Sequence, residues 1–496
     1  MTDSNASLWP GRLGLAILLT ACGASGSGST GTTSESSGTV TVSPPTSGGP
    51  ASTDGADGTD DSGPAGTSEG SATQGESSSS TGIELEFPWD WAGVIGTGQS
   101  LSVGALGNPV ATTEQPYGNL QLSLGGATGW PLDPLDPTWS MVPLVEPIGQ
   151  IAPGYPSAYP QNIYGETPHT SMANQVTALV QTVSRFDYVG VHTAVGESGQ
   201  AMSRLRKGAE PNGTVTGRAY AATLFAVEAT AHQAAMAGLA YGVGAIIITH
   251  GESDAGNPNY GDELVQLWSD YNDDLPVLTA QETAIPMLVS QQNSVPGGPG
   301  TRSASTLAQW QVGRDHPGEI VCVGPTYQYP YDPDQVHLMA LGYQLLGEKY
   351  GAVYFEKVVL GHDWQPLQAT GVSRSGNVIT VEFHVPVPPL AWDEKMPLPH
   401  DNAMAEWAQG RGFEVRSGEG RVVIESVEIV DDTVQITCAD LPDAGVTVGY
   451  AMTTGGLARP GGTVRWGLLR DSDPFVGSTT GQSQQNYAVA FEWPVP

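Results

Sequence analysis

Four stretches of this chain combine residue types that can move a proton to or from a hydroxyl. The first is Gly96-Thr97-Gly98-Gln99-Ser100-Leu101-Ser102. A serine at the end of a glycine-rich turn can expose its hydroxyl and aim its own N–H at a developing oxyanion. The second is Asp334-Gln335-Val336-His337, an imidazole three residues after a carboxylate. At the start of a helix that spacing sets both side chains on one turn, facing one pocket. Asp334 there equally suits a helix cap, and His337 alone suits a packed interface. The other two are Gly196-Glu197-Ser198-Gly199-Gln200-Ala201-Met202 and His250-Gly251-Glu252-Ser253-Asp254, glycine-centred segments rich in polar groups. A hydroxyl, an imidazole and a carboxylate in one place are the parts of nucleophilic acyl transfer.

These stretches need a scaffold that brings distant positions to one rim. From about residue 90 to 350, short apolar runs alternate with helical stretches. Val94-Ile95 leads into the first turn, and Tyr188-Val189-Gly190-Val191 is a short strand. Residues 218–240 are rich in Ala and predict a long helix. Ala245-Ile246-Ile247-Ile248, Ile285 to Val289 and Glu319 to Val323 predict buried strands. Gly261 to Tyr271, Ser303 to Val312 and Gln335 to Tyr350 predict helices between and after them. Such alternation implies an α/β fold with a mainly parallel sheet covered on both faces, its reactive groups on loops at the carboxyl ends of the strands. After about residue 355 the period changes to two. Val378 to Phe383, Val422 to Val427, Val434 to Thr437 and Val446 to Ala451 alternate between turn residues, which predicts a compact antiparallel β domain.

With these blocks in order, the chain resembles the SGNH (GDSL-like) hydrolases. It is most similar to the branch that holds sialate O-acetylesterases and acetyl xylan esterases. That branch usually reads Gly-Gln-Ser in its first block, as Gly98-Gln99-Ser100 does here, and Gln-Gly-Glu-Ser-Asp in its third, where this chain has His250 to Asp254. The resemblance covers roughly residues 90–350. It implies a flavodoxin-like, three-layer α/β/α domain followed here by the sandwich-like β domain, with no cofactor and no metal. It implies Ser100 as nucleophile, His337 as general base and Asp334 as the group that orients the imidazole. The oxyanion hole would use the N–H groups of Ser100 and Gly199, with Gly196 as the rival glycine. Broad members of the family place an Asn in the third block as a further donor. This chain has none there, so His250 either donates through its ring or only supports the loop. Gln99 and Glu252 are implied as site support, Glu252 by holding neighbouring backbone amides.

The implied reaction is hydrolysis of acetyl or other short acyl esters, with an acetylated glycan as substrate. Alternatives are a lipase, thioesterase or polyesterase of the same mechanism, or an inactive surface protein that binds glycan. Other polar residues suggest less. Glu166 and His169 suit a pocket rim or a loop cap, and His192 suits the core. Asp270, Asp273 and Asp274 match no calcium loop. Trp364, Trp392 and Trp466 suit core packing or sugar stacking.

The chain has 496 residues, enough for two domains and a tail. Its formal net charge of −33, from 18 basic and 51 acidic residues, argues against a nucleic-acid partner. Residues 1–22 read as an export signal: Arg12, the short apolar run Leu13 to Leu19, then Leu19-Thr20-Ala21-Cys22. That ending resembles the bacterial lipoprotein signal, with Cys22 lipidated and the mature protein held at a membrane in the cell envelope or at the cell surface. Residues 23–83 are almost wholly Gly, Ser, Thr, Ala, Pro and acid, a composition that predicts a flexible tether of about 60 residues with a reach of roughly 40–45 Å. The expected division is signal 1–22, tether 23–83, hydrolase domain 84–358 and β domain 359–496. Cys322 and Cys438 are expected either as a disulfide or as two buried thiols.

Overall fold

A computed structural model describes residues 85, 87–124, 132–148, 165–184, 186–210, 217–400, 404–442 and 444–496. The signal, Cys22 and the tether lie outside the described residues. Along the first part run β1 (Trp91–Gly98), β2 (Leu120–Ser123), β3 (Ser140–Pro143), α1 (Pro168–Val183), β4 (Gly190–Gly196), the single turn α2 (Met202–Leu205) and α3 (Ala219–Ala237). Then come β5 (Tyr241–Thr249), α4 (Tyr260–Thr279), β6 (Met287–Gln291), α5 (Ala304–Asp315), β7 (Ile320–Pro325) and α6 (Ala340–Tyr354).

The main sheet has the order β3-β2-β4-β1-β5-β6-β7. All its neighbours are parallel except the β2–β3 pair. The core β4-β1-β5-β6-β7 has the doubly wound, flavodoxin-like order that the family resemblance implies, with a β2–β3 hairpin added at one edge. The chain leaves β1 toward β4 and returns to its other side at β5, so β1 ends at the switch point where such sheets bind ligands.

The strands show why their apolar runs are continuous. Ile246 and Ile248 pack with Leu264, Leu267 and Tyr271 of α4, whereas Ile247 points the other way, toward Met172 of α1 and Leu346 of α6. Both faces are covered, so every position of β5 is buried. A fully buried Ile contributes about 1.5–3 kcal/mol. Helix α3 stops at Gly238, whose φ of 73° places it in the left-handed region that ends a helix. Helix α5 begins at Ser303, whose side chain accepts the N–H of Thr306.

The second part comprises β8 (Gln368–Ser375), β9 (Val378–His384), β10 (Ala391–Trp392), β11 (Phe413–Ser417), β12 (Gly420–Arg421), β13 (Ile424–Val430), β14 (Thr433–Cys438), β15 (Val446–Tyr450), β16 (Leu469–Arg470) and β17 (Phe491–Pro494). They form sheets β13-β14-β9-β8 and β12-β11-β15-β17 and a small β10–β16 pair. Ile379, Val381 and Ile436 of one four-stranded sheet share an apolar core with Phe413, Val448 and Phe491 of the other. That core also takes in Trp310 of α5 and Tyr327 after β7. Gln291, at the end of β6, donates its amide to Ala490 O at 2.8 Å and accepts Ala490 N–H at 2.7 Å. The described α/β and β parts therefore form one compact unit. Cys322 and Cys438 are both free and buried. Among the described residues, no helix is long and apolar enough to cross a membrane.

Candidate active site

Ser100 opens a turn of 3₁₀ helix, Ser100–Val103, directly after β1. Gly98 makes the turn possible. Its φ is 135°, and a Cβ there would lie 2.2 Å from Thr249 O of the neighbouring strand. Ser102 Oγ closes the turn on Gln99 O at 2.7 Å. The N–H of Ser100 has no acceptor among the described residues, as an oxyanion donor requires.

Asp334 and His337 follow β7. The sequence pattern places them at the start of a helix, but α6 begins only at Ala340. They occupy a tight loop instead. Asp334 Oδ1 accepts the N–H groups of Val336 and His337, each at 2.9 Å. Gln335 takes a φ of 65° between them, and Tyr331 bridges to Leu338 at the stem. The Asp334 side chain thus caps its own loop, which also turns its second oxygen toward the ring.

His337 Nδ1 lies 2.5 Å from Asp334 Oδ2, and His337 Nε2 lies 2.7 Å from Ser100 Oγ. A carboxylate only accepts, so Nδ1 carries the proton and Nε2 offers its lone pair to the serine hydroxyl. Burial pushes the Asp334 carboxyl up. Its bonds to the His337 ring, the His337 N–H and the Val336 N–H outweigh that and hold it below its ordinary value. Ser100 is 5% exposed, while the His337 side chain keeps 20% exposure.

No protein-family model matches the chain, and no curated protein does. Among solved structures, the chain is similar to a carbohydrate acetylesterase from Xanthomonas citri, with 11% identity over 81% of this chain and 80% of that one and a TM-score of 0.48. It is similar to NanS at 12% identity over 53% of this chain and 96% of that one, TM-score 0.29. A carbohydrate acetylesterase from Sinorhizobium meliloti matches at 14% identity over 54% and 99%, TM-score 0.27.

The loop after β4 lies beside the Ser100 turn. Glu197 N–H bonds Gly98 O at 2.9 Å, and Gly196 pairs with Gly98. Gly196 is walled in, since a Cβ there would lie 2.1 Å from Ser102 Oγ. Gly199 is the exposed residue of the turn, with a φ of 70° and an N–H that has no acceptor among the described residues. Glu197 fastens the loop to α3 by accepting the N–H groups of Gly217, Arg218 and Ala219 at 2.7 to 2.9 Å.

His250 corrects one expectation. Its Nε2 meets Gln200 O at 3.0 Å, and a carbonyl only accepts, so Nε2 is the protonated nitrogen. Its Nδ1 then accepts the Tyr260 hydroxyl at 3.0 Å. Both nitrogens are committed, the ring is 1% exposed, and burial lowers its basicity. His250 therefore supports the Gly199 loop and does not point a free donor at the site. Asp254 adds to this by accepting Met202 N–H at 2.7 Å.

Glu252 also differs from expectation. Hydrogen bonds to neighbouring amides do not occupy its carboxylate, and Oε2 has no partner among the described residues. Burial pushes the Glu252 carboxyl up to about 7, opposed by its own N–H and by the Arg465 guanidinium. The amide-holding role falls to Gln99, whose Oε1 accepts Ser253 N–H at 3.2 Å.

Glu166 and His169 leave the pocket rim. The Glu166 carboxylate accepts Ala111 N–H at 2.7 Å and Thr112 N–H at 3.0 Å, and His169 stands on α1 against His192 of β4, Nδ1 to Nδ1 at 3.2 Å. Asp274 pairs with Lys207 at 2.8 Å. Trp466 is core, Trp364 lies under Lys349 at 4.7 Å, and Trp392 is half-buried against Phe413. A cavity of about 520 Å³ lined by Tyr329, Trp392, Lys395, Arg470 and Tyr487 contains no triad member. Arg459, which donates to Tyr327 O and Tyr329 O, and Thr463, 3.3 Å from Gln335 O, reach the segment of Asp334 and His337 without a sequence signal, because they sit in a Gly-rich stretch that predicts only a turn.

Proposed function

We infer that this chain is a serine ester hydrolase acting through an acyl-enzyme. The observation that carries the reading is the continuous Ser100–His337–Asp334 hydrogen-bond chain, with its proton direction fixed by the carboxylate. His337 takes the Ser100 proton as Oγ attacks the ester carbonyl, and then gives it to the leaving alcohol. Water repeats the cycle on the acyl-serine and releases the acid. The N–H groups of Ser100 and Gly199 face the developing oxyanion, each contributing about 3–4 kcal/mol of barrier reduction.

The substrate class we favour is an acetylated carbohydrate, as the resemblance of the Gly98-Gln99-Ser100 and Gly251-Glu252-Ser253-Asp254 blocks implies. The division into signal 1–22, tether 23–83, hydrolase part 84–358 and β part 359–496, and anchoring at a bacterial membrane through lipidated Cys22, complete the proposal.

The test is acetate release from a panel of acetylated glycans, set against 4-nitrophenyl esters of two to twelve acyl carbons, with labelling by a fluorophosphonate probe. Ser100→Ala should abolish both labelling and release. A folded wild-type protein that neither labels nor releases acid would sink the hydrolase reading, and a preference for long acyl chains would replace the carbohydrate substrate.

A further inference from the structure

The loop that carries Asp334 and His337 has far to reach. It leaves β7, which is separated from β1 by β5 and β6, so it crosses about 14 Å of sheet rim to meet Ser100. A loop of that span holds a catalytic geometry only if something fixes it.

The structure supplies that fixation from residues 459–465, in the connection between β15 and β16. Arg459 donates from Nε at 3.1 Å and from Nη2 at 2.7 Å to Tyr327 O, and from Nη2 at 2.7 Å to Tyr329 O. Gly461 O accepts Tyr331 N–H at 3.0 Å, at the stem of the catalytic loop. Thr463 Oγ1 lies 3.3 Å from both Gln335 O and Asn293 O, so its single proton is shared between the loop of Asp334 and His337 and the loop after β6. Arg465 holds that second loop through Pro296 O at 2.9 Å and Val295 O at 2.7 Å. The segment is shaped for this. Arg459 N–H bonds Thr463 O at 3.1 Å, and a Cβ on Gly462 would lie 2.4 Å from the Arg459 guanidinium carbon.

We propose that residues 459–465 form a strap by which the β part sets the position of Asp334 and His337, with Arg459 as a positioning residue for catalysis. Arg459 touches neither Ser100 nor the ring. It acts by donating to, and so tethering, two carbonyls directly before the loop, a fork geometry that Lys cannot reproduce. Loss of the tether lets the imidazole move relative to the hydroxyl. A displacement of about 1 Å is worth roughly 100-fold in rate, while binding of the acyl group is little affected.

The inference rests on the Ser100 hydrolase reading, and the experiment separates the two. Wild-type labelling by a fluorophosphonate is measured first, and its absence fails that reading. Given wild-type labelling, Arg459→Ala should lower kcat and the labelling rate about 10- to 100-fold with KM within about threefold. Arg459→Lys should recover part of the loss. Thr463→Val removes only the link between the loops and should lower kcat severalfold with an unchanged melting temperature. It also serves as the test if Arg459→Ala does not fold. Folded variants with wild-type kcat and labelling rate would overturn the strap and leave the hydrolase reading intact.

Discussion

Replacing Asp334 by Asn tests the proton direction on which the mechanism depends. The carboxylate makes three bonds: Oδ2 to the His337 ring at 2.5 Å, and Oδ1 to the N–H groups of His337 and Val336, both at 2.9 Å. An amide can be placed in two ways. With its oxygen at the Oδ1 position it keeps both backbone bonds, but its NH2 then faces Nδ1. The ring must respond by carrying its proton on Nε2, toward Ser100, where no lone pair is left to take the hydroxyl proton. The flipped amide restores the correct tautomer but sets NH2 against two backbone N–H donors. Losing two bonds to an acceptor costs about 1.5–3 kcal/mol each. Asp334 is 35% exposed, so the lower end applies and the flipped form lies about 3 kcal/mol above the other. At 1.4 kcal/mol per decade, about one molecule in 100 then holds a competent base. The lost stabilisation of the imidazolium takes the expected fall in kcat to about 1000-fold. The assay is steady-state hydrolysis of 4-nitrophenyl acetate, with the melting temperature recorded to confirm the fold. A folded Asp334→Asn protein within fivefold of wild-type kcat would refute the assigned tautomer and the role of Asp334.

Two glycines near the nucleophile should respond in opposite ways. Gly98→Ala drives a methyl to 2.2 Å from Thr249 O, so it should displace the Ser100 turn and remove fluorophosphonate labelling, whereas Gly199→Ala meets nothing within 4 Å and keeps its N–H. It should cost about 1–2 kcal/mol for its left-handed backbone and retain activity within a few-fold; equal labelling by both variants would contradict the turn geometry. The buried His169–His192 pair should make the fold acid-sensitive. Burial lowers the His169 ring to about 3 and the His192 ring well below its ordinary value, the latter aided by His169. Their contribution is therefore present above about pH 6.5 and is lost as the pH falls toward the folded values, by about 1.4 kcal/mol per pH unit for each ring the unfolded chain protonates. Urea midpoints between pH 6.5 and 4.5 should fall steeply in the wild type and less steeply in His169→Asn; identical slopes would show that the pair does not govern the acid limb.

Much of this molecule follows from local pattern. The continuous apolar runs of β5, β6 and β7 and the Ala-rich α3 announce themselves because their environment is uniform along their length. The Ser100–His337–Asp334 trio is legible for a related reason: a tight turn needs glycine and a reactive hydroxyl needs a base, and both demands fall on residue type. Helix α1 escaped because its buried residues include His169, Thr170, Ser171, Asn174, Gln175 and Thr177, so no apolar stripe marks it. Tertiary structure alone decided the rest. Both nitrogens of His250 go to Gln200 and Tyr260, 50 and 10 residues away, Gln99 rather than Glu252 holds the third block, and Asp334 caps a loop rather than a helix. In each case the outcome depends on which carbonyl or N–H arrives beside the side chain. A hydrogen bond acts over about 3 Å, and the partner's place is set by strands and loops remote in sequence.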